Sequence, residues 1–202
     1  DYAVASGAQI INLSIGGSTP DNAAFEAALQ RAVNAGLVVT ASAGNDTSAN
    51  PEWPARYSSD PRYMGAVMAV GASAQDGSMA SFSGLAGVAA NGFLVAPGEN
   101  IVTDCTSSGC WVVSGTSFSS PIVAGALALL LDAFPMLSGR DAVDILYRTA
   151  TDNGAPGVDR LLAPVVRAAD CLVGVHRPGV IAELPGPRHG MERPHQPAGA
   201  HV

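Results

Sequence analysis

The chain contains no lysine, and all ten of its basic side chains are arginine. Against seventeen acidic residues this leaves a net charge of −7. Such a chain lacks the basic surplus that a phosphate backbone or an anionic membrane attracts, so no nucleic acid partner is expected. It also lacks a long apolar run. Ile122 to Leu131 is the longest, about half of the ~20 residues that a membrane-crossing helix needs, so no transmembrane segment is expected. No secretory signal pattern is visible, and the first residue is Asp1 rather than methionine. No internal repeat occurs. Cysteines number three. Cys105 and Cys110 bracket the short stretch Thr106-Ser107-Ser108-Gly109, where a disulfide could close and would suit an exported protein. A metal pair there would need a nearby histidine or third cysteine, and neither is present, so no metal or other cofactor is assigned. Cys171 is left over.

What is present fits one domain. The 202 residues are 48% hydrophobic and rich in alanine and glycine, a supply of small side chains suited to close packing of helices on a sheet. Asp1 to Gly7 reads as the last turns of a helix. Ile10 to Ile15 reads as a buried strand ended by Gly16-Gly17. Thr19 with Pro20 predicts a helix start. Phe25, Ala28, Leu29, Ala32 and Val33 then fall on one helical face, and Gly36 closes that helix. Leu37 to Ala41 is a second buried strand. A strand, a helix and a strand joined by short connections make a parallel pair with a right-handed crossover. In such sheets ligands sit beyond the carboxyl ends of the strands, which here carry Ser14-Ile15-Gly16 and Ala43-Gly44-Asn45.

A polar loop is expected from Asp46 to Ser59, with Pro51 and Pro54 opposing regular structure. Ala66 to Val70 and Phe93 to Ala96 read as further strands. Ile101 to Thr103 and Trp111 to Val113 read as a hairpin around the cysteine loop. A helix should run to about Ala133 from Ser117 or its neighbour, its start pinned by Pro121, which a helix accepts readily only in its first turn. Ser138 and Asp141 have the spacing of a capping box for a last helix through Tyr147. From about Gly154 the chain turns rich in proline, arginine and histidine. The expected organisation is therefore a domain over residues 1–153 and a poorly ordered tail over 154–202, with a short helix from Leu161 to Cys171.

Chemistry concentrates at Ser117. A serine placed where a glycine turn becomes a helix lies beside backbone N–H groups that lack intrahelical acceptors, and the helix dipole there favours negative charge. A nucleophile at that point would develop its oxyanion next to ready donors. The plain alternative is an N-cap serine on a buried helix. Asn45 likewise reads either as a turn residue tolerant of a left-handed backbone or as an oxyanion donor.

The run Ser114-Gly115-Thr116-Ser117-Phe118-Ser119-Ser120-Pro121-Ile122-Val123-Ala124-Gly125 resembles the nucleophile motif of the subtilisin-like serine proteases (subtilases, peptidase family S8). Ile11 to Gly17, Val38 to Asn45, Ala66 to Ala72, Ser81-Phe82-Ser83 and Val95 to Gly98 resemble further stretches of that family in the same order. The similarity covers residue 1 to roughly residue 150. It implies an α/β fold, a subtilisin-like three-layer sandwich with a mainly parallel sheet between helices, incomplete at the N-terminus. It implies a serine endopeptidase acting through an acyl-enzyme, secreted or periplasmic, on polypeptides in extended conformation. It implies catalytic roles for Ser117 as nucleophile and Asn45 as oxyanion donor, with Thr116 as a minor donor. Ser14, Ile15 and Gly16 would pair with the substrate backbone and wall one side of the S1 pocket, which takes the P1 side chain preceding the scissile bond. Ala43 and Gly44 would form the other wall, leaving room for bulky apolar side chains and hence broad specificity.

The sequence departs from the family in one decisive respect. The triad in these enzymes runs Asp, His, Ser, and no histidine precedes Ser117. His176, His189, His195 and His201 all stand in the tail, without the family's histidine motif, and the aspartate motif is missing too. The expectation is a chain beginning inside the domain, with nucleophile and oxyanion hole but no base, and inactive alone. An inactive fragment or pseudoprotease that at most binds peptides is the alternative. An α/β-hydrolase would need glycine where Ser119 stands.

Overall fold

The computed structural model describes residues 1–107 and 109–151. Four strands, β1 (Ile10–Leu13), β2 (Val38–Ser42), β3 (Val67–Ser73) and β4 (Phe93–Pro97), form one sheet in the order β1-β2-β3-β4. Every pairing in it is parallel, with Ile10 opposite Val38, Val39 opposite Val67 and Ala69 opposite Phe93. A separate antiparallel hairpin joins β5 (Ile101–Thr106) to β6 (Gly109–Val113). The helices are α1 (Tyr2–Ala5), α2 (Ala23–Asn34), α3 (Thr116–Ala133) and α4 (Gly139–Thr149).

Strand alternation divides the core between the two faces of the sheet. Val38, Met68, Val70 and Leu94 pack with Val123, Leu127 and Leu130 of α3 and Val143, Ile145 and Leu146 of α4. Their neighbours Val39 and Val67 point the other way, toward Leu29 and Val33 of α2 and the tyrosines Tyr57 and Tyr63. Alanines fill a third cluster at the strand ends, Ala41, Ala43 and Ala69 with Ala86 and Ala89. Helices on both faces of a parallel sheet make the expected three-layer α/β sandwich. By length and composition α3 alone among the described helices could cross a membrane. It is instead the central core helix, with Val123, Leu127 and Leu130 fully buried against the sheet.

Local signals explain most element ends. Gly36 follows α2 with φ 87°, and the N–H groups of Gly36 and Leu37 donate back to Val33 and Ala32, a Schellman closure. The Ser138–Asp141 capping box of α4 is complete. Several expected boundaries shift. The cap of α2 is Asn22, whose side chain accepts from the Phe25 N–H at 3.0 Å, so the helix starts after Pro20 and not at it. Within the loop expected from Asp46 to Ser59, a 3₁₀ helix occupies Ala55–Ser59 directly after Pro54. The hairpin is longer than expected, and Cys105 and Cys110 form a disulfide inside it. The domain boundary at residue 153, the helix expected over Leu161 to Cys171, and all four histidines lie outside the described residues.

Candidate active site

Helix α3 begins at Thr116, the neighbour of Ser117, so Pro121 is its sixth residue and stands beyond the first turn. The ring nitrogen of Pro121 cannot donate to the carbonyl four residues back, which is that of Ser117. That carbonyl finds another partner: the Ser14 hydroxyl donates to it at 2.8 Å. Ser14 is oriented in turn by Asn12, whose amide Nδ2 donates to the Ser14 Oγ at 3.0 Å. The Asn12 Oδ1 accepts from Ser120 of α3 at 2.7 Å and from Thr40 of β2 at 3.2 Å. The proline thus exchanges an intrahelical bond for one to the end of β1. Replacing Ser14 by alanine should lower stability by about 1 kcal/mol, the usual worth of such a bond, read as a lower midpoint in urea denaturation.

The start of α3 has a second long-range tie. Its N-cap is Gly115, with φ 157° and no side chain to cap with. Asn45, from the loop after β2, supplies the cap instead. Its Oδ1 accepts from the Thr116 N–H at 2.9 Å and from the Thr116 hydroxyl at 3.0 Å. Thr116 Oγ1 also accepts from the Gly44 N–H at 3.3 Å. The amide oxygen of Asn45 is thereby committed to the helix, while its Nδ2, on an exposed residue, makes no hydrogen bond among the described residues. Thr116 is fully buried and its hydroxyl donates to the Asn45 oxygen. Ser117, half-buried, is the second helical residue, so its N–H has no intrahelical acceptor. The turn is also fixed to the end of β4: the Gly115 N–H donates to the Gly98 carbonyl at 2.8 Å and Ser119 Oγ to the Pro97 carbonyl at 3.3 Å.

The carboxyl ends of β1, β2 and β4 therefore converge on one helix start, as parallel-sheet geometry requires. Ser14, Ile15 and Gly16 lie on one side and Ala43 and Gly44 on the other. Ser42 Oγ donates to the Ile15 carbonyl at 3.0 Å and holds the first segment against β2. The Gly84 N–H donates to the Gly44 carbonyl at 2.9 Å and backs the second. Ile15 is 55% exposed, its side chain open to solvent.

The gap between these walls is not the empty apolar slot that small wall residues suggest. Glu52 occupies it. Its N–H donates to the Ala43 carbonyl at 2.8 Å, while Trp53 and Gly17 exchange both backbone bonds at 2.9 Å, so the segment bridges the two walls. A Cβ on Gly44 would fall 2.7 Å from the Cγ and Cδ of Glu52, and one on Gly16 would strike its Oε2. Burial, and secondly the Asp46 carboxylate, push the Glu52 carboxyl above its ordinary range. Glu52 carried no signal in the sequence beyond being one acid enclosed by Pro51 and Pro54, and Asn12 none beyond its place next to Ser14. No group of three or more metal-ligating side chains occurs among the described residues.

The model of the subtilase family, peptidase S8, matches residues 1–163. The chain is 36% identical over 158 residues to subtilisin DY of Bacillus licheniformis, covering 76% of this chain and 54% of the relative. It is 35% identical over 158 residues to a thermostable alkaline protease of Halalkalibacterium halodurans, covering 78% of this chain and 41% of the relative. The chain thus spans about half the length of the curated relatives it matches. Among solved structures, the prenylagaramide maturation protease PagA superposes with a TM-score of 0.72 at 29% identity, over 86% of this chain and 64% of that one. The patellamide maturation protease PatA gives 0.70 at 28% identity, over 85% and 64%. With a family match over most of its length and a parallel-sheet core that superposes on solved proteases, the chain belongs to the subtilase family.

Proposed function

We propose that this chain carries the nucleophile, oxyanion hole and substrate walls of a serine endopeptidase. Where a histidine base takes its hydroxyl proton and passes it to the departing amine, Ser117 Oγ attacks the peptide carbonyl, and the tetrahedral oxyanion is held by the Asn45 amide Nδ2 and the Ser117 N–H. Collapse expels the amine and leaves an acyl-enzyme on Ser117, which water then hydrolyses. Ser14 to Gly16 and Ala43 to Gly44 flank an extended polypeptide substrate, and their backbone groups supply most of its pairing. The observation that carries the reading is the Asn45 side chain, whose oxygen is tied to the first turn of α3 at 2.9 Å so that its nitrogen is left to donate beside Ser117. The disulfide in the hairpin supports an exported protein, and the domain is read as residues 1–153 with the remainder as a tail.

The described residues contain no histidine, so the base that would activate Ser117 is not among them. A serine hydroxyl without that base is a poor nucleophile. We therefore expect the isolated chain to hydrolyse peptides negligibly and to act at most as a peptide-binding module. A fluorophosphonate probe tests this directly, with Ser117→Ala as the blank. Labelling at the blank's rate is the expected result; rapid, stoichiometric modification of Ser117 would show that the chain activates its own serine.

A further inference from the structure

We propose that Glu52 makes the crevice between Ser14-Ile15-Gly16 and Ala43-Gly44 selective for a cationic P1 side chain, arginine above all. The inference rests on the peptide-binding reading of these two walls and adds to it the chemistry of the side chain that they accept.

Three observations carry it. First, the position of Glu52 is fixed by backbone bonds to both walls, through its own N–H to Ala43 and through Trp53 to Gly17. Its side chain therefore belongs to the crevice and is not a surface group that happens to lean over it. Second, both walls carry glycine where the side chain passes. With Cγ and Cδ of Glu52 at 2.7 Å and Oε2 at 3.1 Å from where a Gly44 Cβ would stand, only hydrogen leaves room for the carboxylate. Third, the carboxylate makes no hydrogen bond or ion pair among the described residues. The nearest cation in sequence, Arg56, is directed elsewhere: its Nε donates to the Pro51 carbonyl at 2.8 Å and its guanidinium lies over the Trp53 ring at 5.4 Å.

A half-buried carboxylate without a partner decides between guests. A bulky apolar side chain entering the crevice would remove the remaining water from that charge and offer nothing in return, which is unfavourable. A long, unbranched side chain with a cationic tip satisfies it. A flexible methylene stem brings the charge to the accessible part of the half-buried Glu52, where a guanidinium can present two parallel N–H groups to the two carboxylate oxygens. The other charged group bearing on Glu52 is Asp46, also acidic, and a cation would offset the repulsion between the two.

The test uses the chain itself and needs no catalysis. Fluorescent peptide amides identical except for a C-terminal arginine, phenylalanine or glutamate are titrated against it and followed by anisotropy. Arginine should bind tighter than phenylalanine by about tenfold, with the margin shrinking as salt is raised. Glu52→Gln should abolish that margin, and Glu52→Lys should turn the preference toward glutamate, a reversal that misfolding cannot produce. Equal binding of the arginine and phenylalanine peptides, or an arginine preference that survives Glu52→Gln, would overturn the role of Glu52 and leave the peptide-binding reading standing. Failure of every peptide to bind would overturn both.

Discussion

Replacing Ser117 by alanine, in a protein where a histidine base completes the site, is expected to lower kcat by about 10⁶ while leaving the fold almost untouched. The magnitude is the subtilisin value carried over within the family, where loss of the nucleophile alone costs about as much as loss of the whole triad. The second half of the expectation comes from this structure. Ser117 Oγ makes no hydrogen bond among the described residues; the bond that matters structurally uses its backbone carbonyl, which alanine retains, and Ser14 still donates to it. Stability should therefore change by no more than about 0.5 kcal/mol, as for a surface substitution. Progress curves for peptide hydrolysis and urea denaturation of the same preparation read the two quantities. A variant that unfolds along with losing activity would mean that the Ser117 side chain is part of the helix start and not a free nucleophile.

Asn45 should behave differently, because one side chain performs two tasks. Asn45→Ala removes the oxyanion donor and also the acceptor that caps α3. The family value for losing such a donor, again from subtilisin, is about 10²–10³ in kcat. Losing the acceptor strands the buried Thr116 N–H, which should cost about 1–3 kcal/mol of stability in addition. Asn45→Asp separates the tasks. A carboxylate still accepts from Thr116, and its charge is favourable at a helix N-terminus, so stability should be kept or raised. It has no proton to give the oxyanion and repels it, so kcat should fall at least as far as in the alanine variant. KM should change little in either case, since the hole is filled only in the transition state. Equal losses of stability in the two variants would mean that the Asn45 oxygen does not cap α3.

The parts of the fold legible in sequence were those written in neighbouring residues. The apolar face Phe25, Ala28, Leu29, Ala32 and Val33 and the Ser138–Asp141 spacing are local patterns, and the structure contains both elements. Residues Ser117, Asn45, Ser14 and Gly44 were singled out on motif grounds, and the fold brings them to the same ends of the strands. What the sequence hid was the cross-chain accounting of backbone groups. Nothing near Pro121 indicates that the carbonyl it frees will be met by Ser14, which is 103 residues earlier. Nor does Gly115 reveal that its missing cap is provided by Asn45, 71 residues away. Thr19 has the right chemistry for a helix cap, but Asn22 is better placed to reach the Phe25 N–H. The small wall residues are legible in the sequence, whereas the Glu52 side chain lying against Gly16 and Gly44 is not.

The bond from Ser14 to the Ser117 carbonyl has a consequence for the thermodynamics of recognition. It makes the proposed substrate-binding segment and the proposed nucleophile parts of one rigid body, set before any peptide arrives. The freedom of that segment is lost during folding, once, and not again at each encounter. A loosened wall, as in Ser14→Ala, would move that loss of entropy into the binding step. Peptide association should then become more exothermic and less favourable in entropy, even where the direct contacts with the peptide are unchanged.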